Sequence, residues 1–228
     1  MAWFVFILSL ILAYLFGSIN AAIIISKVVA HKDVRDYGSG NAGMTNVVRV
    51  MGIKPGIYTF LIDSVKGATV CLLAKFVAFP FIYEQLGIEV FRPEYAVYYC
   101  GLLCLLGHIY PIFFGFRGGK GVATTLGVLL VCQYQSALIA FALFILLFII
   151  TKTVSICSIS AVIVLPFLNI IFADGKGPNA TLVQCLLMAA ISLLVIFMHR
   201  SNIVRIIHGE EKKLSLGHKK ESNENDKD

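Results

Sequence analysis

From Ala2 to Ser26 the chain runs twenty-five residues without one Asp, Glu, Lys, Arg or His. A helix rises about 1.5 Å per residue, so about 20 apolar residues cross the roughly 30 Å hydrocarbon core of a bilayer. Inside lipid no water satisfies the backbone, which leaves only helices and closed barrels as spanning structures. No part of the chain alternates polar and apolar residues over strand after strand, as a barrel needs. Further apolar runs follow at about Pro55–Ile82, Tyr95–Tyr110, Val122–Ile150, Val154–Ala173 and Thr181–Met198. Only 14% of the residues are charged, against about 25% in a soluble domain. The fold class is therefore an all-α integral membrane protein.

Met1 to Ser26 does not read as a signal peptide, because it lacks a basic leading segment and its apolar run is too long. It reads as the first transmembrane helix. Gly17, Ser18 and Asn20 interrupt it, and their polar groups should face other helices or a cavity. Asp63 and Lys66 in the second helix are three residues apart, share a face and can pair. Tyr83 to Pro93 reads as a loop and Asp174–Pro178 as a turn.

Val122–Ile150 is too long for one ordinary span, and Gln133, Tyr134, Gln135 and Ser136 interrupt it. It reads as two short helices with a turn at Gln133–Ser136, which makes seven transmembrane helices. Of 19 Lys and Arg, only Lys75, Arg92 and Lys176 then fall toward one side, leaving 16 on the other. Basic loops stay in the cytoplasm. This gives an external N-terminus and a cytoplasmic C-terminus. Residues 1–211 form one membrane domain, and 212–228 read as a charged, disordered cytoplasmic tail.

The six cysteines lie in or beside apolar runs and form no CxxC pair. They read as packing residues and leave no metal site. The net charge of +6 needs no explanation beyond the basic cytoplasmic loops, and no nucleic-acid partner is expected.

The polar residues gather in three stretches. The first, Gly38 to Arg49, offers small residues for backbone access at Gly40 and donors at Ser39, Asn41, Thr45 and Asn46. Its Arg49 adds a planar fork suited to phosphate. The second, Gly107 to Thr125, carries Gly118, Gly119, Lys120, Gly121 and Thr124. Glycines with φ > 0 would shape a concave backbone site, a helix starting near Gly121 would add its positive end, and Lys120 a point charge. It is not a Walker A loop, because Gly121 follows the Lys where a hydroxyl residue is required. The third stretch, His199 to Glu210, includes Arg200 and Asn202. Ser155, in the shorter polar segment Thr151–Ser155, could also reach a ligand.

Gly-Ser-Gly-Asn-x-Gly-x-Thr-Asn-Val at 38–47, Gly-His-x-x-Pro…Arg-Gly-Gly-Lys-Gly-Val-Ala-Thr at 107–124 and His-Arg-x-Asn-Ile-x-Arg at 199–205 resemble three motifs of one family. These are the bacterial membrane glycerol-3-phosphate acyltransferases that use acyl phosphate (the PlsY family). The likeness runs from Gly17-Ser18 to about Glu211. It implies a seven-helix protein of the bacterial inner membrane with its active site facing the cytoplasm. The implied reaction moves an acyl group from acyl phosphate to the 1-hydroxyl of sn-glycerol 3-phosphate, giving lysophosphatidic acid and phosphate, early in phospholipid biosynthesis. No cofactor is implied. A soluble acyl-phosphate-forming enzyme is implied as a functional partner. Ser39, Thr45, Arg49, Lys120, Ser155, His199 and Asn202 match residues lining the family's site, and Gly118, Gly119 and Gly121 match its phosphate loop. Three positions depart from the pattern. Met44 stands in place of Ala, Asn20 in place of a Pro that follows Gly-Ser-Ile, and Met198 in place of a basic residue.

Two other readings compete. His31 to Asp36 fits H-x-x-x-x-D, the acid–base dyad of acyltransferases that use acyl-CoA or acyl carrier protein, but that family's partner motifs are not evident. Basic sites at broken helices also suit anion transporters, yet no internal repeat pairs the two halves, and the polar groups cluster at one face.

Overall fold

The structure, a computed structural model, describes residues 1–172 and 178–214. It is all-helical over these residues. The expected turn at 174–178 lies outside them but for Pro178, as does the tail beyond Leu214.

The first apolar run forms α1 (Ala2–Gly17) and α2 (Ala21–Ala30). The break between them carries no proline. Asn20 makes it: its side-chain oxygen caps α2 by accepting the Ile23 N–H at 3.1 Å, which satisfies one of the donors a helix start leaves open. Its amide also reaches the Ala42 oxygen at 3.4 Å. The long polar stretch after α2 contains a further short helix, α3 (Met44–Met51).

The second apolar run comprises α4 (Ile53–Leu73), a π-helical turn at Ala74–Ala78, and α5 (Phe79–Leu86). Pro80 explains the wide turn, since it has no N–H and its ring crowds the carbonyl four residues back. Helix persists to Leu86, so the loop expected from Tyr83 starts later. α6 (Pro93–Ile109) stops just before Pro111. α7 (Val122–Cys132) and α8 (Tyr134–Thr151) flank Gln133, at the expected interruption. α9 (Val154–Ile163) and α10 (Leu165–Ile171) part at Val164, two residues before Pro166. α11 (Pro178–Met198) meets α12 (Arg200–Ile207) at a bend of 58°.

Close helix crossings depend on glycine. α1 packs on α6, where a side chain at Gly17 would overlap the Cys104 oxygen and one at Gly107 the Tyr14 oxygen. α4 packs on α7 through Gly67 against Thr124 and Gly127 against Ser64. In lipid, with no hydrophobic force between helices, such close backbone contact is a main source of association. Large side chains such as Ile11, Val65 and Phe167 point outward, as lipid contact permits.

Five stretches are long and apolar enough to cross a bilayer: Ala2–Ala30, Ile53–Leu86, Pro93–Phe114, Tyr134–Thr151 and Val154–Ile171. The bent α11–α12 pair raises the count to six. α7 has eleven residues, about 16 Å of helix at the usual rise, and is short of a full crossing.

Candidate active site

Four helices, α3, α7, α9 and α12, begin at one cavity of about 690 Å³. Its walls include the first-turn residues Met44, Val122, Ser155 and Ser201. None of the four helices has a side-chain cap. Their opening N–H groups lack intrahelical partners and carry the positive ends of the helix dipoles. Gly121, at φ 86°, makes the turn into α7 that a side-chain-bearing residue would resist. The arrangement suits anions.

Charged side chains add to this. Arg49, Lys120 and Arg205 line the cavity. Lys120 donates to the Asn202 side-chain oxygen. The Asn202 amide donates to Ser155 Oγ at 2.7 Å and to Glu211 Oε1 at 2.6 Å. Ser155 Oγ donates to the same Glu211 oxygen at 2.6 Å, and Arg205 Nε to Oε2 at 2.7 Å. Burial pushes the Lys120 ammonium down to about 8; Glu211 opposes this, while Arg205 and Arg49 reinforce it. Burial disfavours the Glu211 carboxylate, but the hydrogen bonds from Ser155, Asn202 and Arg205 outweigh it and hold the group below its usual range.

His199 is buried at the α11–α12 bend. Its Nδ1 lies 2.8 Å from the Val195 oxygen. A carbonyl only accepts, so Nδ1 carries the hydrogen, and in the neutral ring Nε2 is the acceptor. Among the described residues no carboxylate is hydrogen-bonded to the ring.

Ser39, Gly40, Asn41, Thr45, Asn46, Arg49, Lys120, Gly121, Ser155, His199, Arg200 and Asn202 all border the cavity, so the three sequence stretches do meet. Several members play other parts than the sequence suggested. Asn46 ties the first loop together: it accepts the Ser39 N–H at 2.8 Å and donates to the Val34 and Tyr37 oxygens at 2.8 and 3.0 Å. Gly118 and Gly119 donate their N–H groups to the Ile109 and His108 oxygens at 3.0 and 3.2 Å. Those groups are spent on the end of α6, and neither glycine has positive φ. Their smallness admits His108 and Ala42 instead. Thr124 is fully buried and does not border the cavity; its backbone faces Gly67 of α4. Arg200 is exposed and stacks on Phe197, 4.7 Å from the ring centroid.

Five supporting side chains, Asp63, Lys66, His108, Arg35 and Glu211, were not placed at the site from sequence. Asp63, Lys66 and His108 form a buried cluster: Lys66 Nζ lies 2.8 Å from Asp63 Oδ1 and 2.9 Å from His108 Nδ1. The i,i+3 spacing signals the Asp63–Lys66 pair, but nothing local signals His108 as its partner. Arg35 pairs with Asp33 at 2.8 Å and donates to the Phe114 and Arg117 oxygens at 2.7 and 3.1 Å, clamping the second loop to the first. Glu211 gave no motif signal. Its segment stays on the body: the Leu214 N–H donates to the Lys152 oxygen at 2.9 Å, and Leu214 is buried. His31 and Asp36, the alternative dyad, are exposed and do not border the cavity.

Away from the polar mouth the cavity continues as an apolar arm between α7, α8 and α9, with Leu126, Phe141, Phe144 and Val162 among its walls. A cationic mouth joined to an apolar arm matches an amphipathic ligand with an anionic head. The family model for glycerol-3-phosphate acyltransferase matches residues 7–209.

The chain belongs to the glycerol-3-phosphate acyltransferase family.

A glycerol-3-phosphate acyltransferase of Finegoldia magna is 44% identical over 90% of this chain and 93% of its own length. Glycerol-3-phosphate acyltransferase 2 of Bacillus anthracis is 41% identical over 91% and 98%. Among solved structures, the integral membrane acyltransferase PlsY (YgiH) in its glycerol 3-phosphate form is 36% identical, with a TM-score of 0.76 over 92% of this chain and 96% of that one. Its lysophosphatidic acid form gives 34% and 0.75. Membership covers all three polar stretches and the helices between them.

Proposed function

We propose that this acyltransferase moves an acyl group from acyl phosphate to the 1-hydroxyl of sn-glycerol 3-phosphate, releasing lysophosphatidic acid and phosphate. The single observation that carries the reading is the continuity of the cavity, from a mouth of helix N-termini and cations to an apolar arm. The glycerol 3-phosphate and lysophosphatidic acid forms of the PlsY structures support the acceptor and the product. The active site faces the cytoplasm of a bacterial inner membrane crossed seven times. A soluble enzyme supplies the acyl phosphate.

The transfer is direct. The acceptor oxygen attacks the acyl carbon, the carbon–oxygen bond to the donor phosphate breaks, and the hydroxyl proton leaves with inorganic phosphate. The donor phosphate, with a second pKa of about 6 by analogy with protein phosphates, takes that proton. Arg49 and Lys120 offset the repulsion of two dianionic heads, and first-turn N–H groups stabilise the developing oxyanion. His199 Nε2 accepts a hydrogen bond from the substrate and positions it. Ser39, Gly40, Asn41 and Thr45 shape the first loop around a head group, while Ser155 and Asn202 hold Lys120 in place. The cysteines lie within apolar helices, where a thiolate nucleophile is disfavoured.

Purified protein in detergent, given glycerol 3-phosphate with either acyl phosphate or acyl-CoA, tests the reading by lysophosphatidate formation. Turnover with acyl phosphate and little with acyl-CoA is expected. Comparable turnover with acyl-CoA would overturn the donor assignment, and a trapped acyl-enzyme the direct transfer.

A further inference from the structure

The apolar arm closes at a level shared by three helices. On α7 its wall ends at Leu129, on α8 at Ala137, and on the α9–α10 segment at Leu165. Just beyond lies the α7–α8 break, where Ser136 Oγ donates to Gln133 Oε1 at 2.5 Å and both residues are buried. Leu129, Ala137, Ala140 and Leu165 are themselves buried, so the end is shut against lipid. Along the helices the arm runs from Gly121 to Leu129, from Phe148 to Ala137 and from Ser155 to Leu165, each about 12–17 Å at the usual rise. Along α8 the wall is a single face of Ala137, Ala140, Phe141, Phe144, Ile145 and Phe148. Aromatic rings line it near the mouth and methyl groups line it at the floor.

We infer that Ala137 and Ala140, with Leu165 opposite, set the length of acyl chain this enzyme accepts, by fixing the depth of the arm. The inference rests on the acyl-transfer reading above, but it concerns the chain and not the head group that carries it. A chain shorter than the arm leaves part of the apolar wall above the floor uncovered. A chain longer than the arm must fold, turn aside past the exposed Phe141 and Ile145, or draw its head away from Lys120. Each methylene that loses its apolar contact weakens binding, and close-packed walls cannot stretch to accept extra atoms. Enlarging the floor residues shortens the gauge, and trimming Leu165 lengthens it.

The test is a series of octanoyl, lauroyl and palmitoyl phosphates, with kcat/KM measured for the wild type and for Ala140→Leu, Ala137→Leu and Leu165→Ala. The leucine variants should lose about tenfold in kcat/KM on the longest accepted donor relative to the shortest. Leu165→Ala should shift the preference toward longer chains. Because ratios within one variant are read, loss of folded protein cancels, and the two directions of change guard against overpacking as the cause. Normal wild-type transfer with an unmoved ratio in all three variants overturns the gauge alone. Should the wild type accept acyl-CoA instead, the same ratios are read on acyl-CoA of graded length. Absence of transfer from either donor overturns the acyl-transfer reading and the gauge with it.

Discussion

Lys66 Nζ lies 2.8 Å from the backbone oxygen of Ile19. Ile19 sits in the α1–α2 break, where its carbonyl has lost its helical partner, and Lys66 supplies the missing donor from α4. The same ammonium neutralises Asp63 and touches His108, whose oxygen holds Gly119. One buried cation thus joins the helix break beneath the first loop to the loop that carries Lys120. Lys66→Met should leave Asp63 buried with only the His108 Nδ1, 3.5 Å away, to face it, and cost about 3–5 kcal/mol of stability. Asp63→Asn combined with Lys66→Met should recover much of that loss. Thermal unfolding in detergent measures both, and equal destabilisation of the single and double variants would count against the pairing.

Lys120 should impose a pH limit on the free enzyme. Its ammonium is held down to about 8, so it is charged below that pH and neutral above it. A bound phosphate favours the charged form. The kcat/KM for glycerol 3-phosphate, which reports free-enzyme groups, should therefore fall as pH rises through about 8. Lys120→Arg should remove that limb, because guanidinium stays charged. An unchanged limb in that variant would assign it elsewhere.

Arg49 sits on the last turn of α3 and reaches the Lys212 oxygen only at 3.4 Å, leaving its fork available to a phosphate. Arg49→Ala should cost about 1.5–3 kcal/mol in substrate binding, from tenfold to more than a hundredfold. Arg49→Lys should restore part of it, because ammonium lacks the bidentate fork. Steady-state kinetics with glycerol 3-phosphate decides, and wild-type KM in Arg49→Ala would remove Arg49 from the site.

His199 should behave as a positioning group. Its Nδ1 hydrogen is held by Val195, and among the described residues no carboxylate is hydrogen-bonded to the ring. His199→Gln keeps hydrogen-bonding capacity and should retain measurable turnover, while His199→Ala should lose about a hundredfold or more, the range of one well-placed contact. Equal inactivity of both, with folding intact, would favour His199 as the base.

Topology is testable at the α7–α8 break. A cysteine replacing Gln135 should label from outside intact cells, and one replacing Ser39 from the cytoplasm. Cytoplasmic labelling of the Gln135 variant would make α7 and α8 a re-entrant hairpin, consistent with the short span of α7, and reduce the crossings below seven.

The sequence by itself determined the class, the helical runs and the three polar stretches. Twenty-five uncharged residues admit no soluble alternative, and Gln133 and Pro111 mark helix ends because their local chemistry acts within a few residues. Asn20 also acts locally, as a cap, although the resemblance had made a proline the expected cause of a break there. Local signals did not reveal what each loop residue does. Gly118 and Gly119 looked like phosphate donors until α6 was found to take their N–H groups, and Asn46 looked like a ligand contact until its three bonds closed the loop. Glu211 and His108 became visible only when Ser155, 56 positions from Glu211, and Lys66, 42 positions from His108, came beside them. Only the tertiary structure could decide these roles, because a hydrogen-bonding group has a small, fixed capacity. Which partner fills that capacity depends on what packing brings beside it.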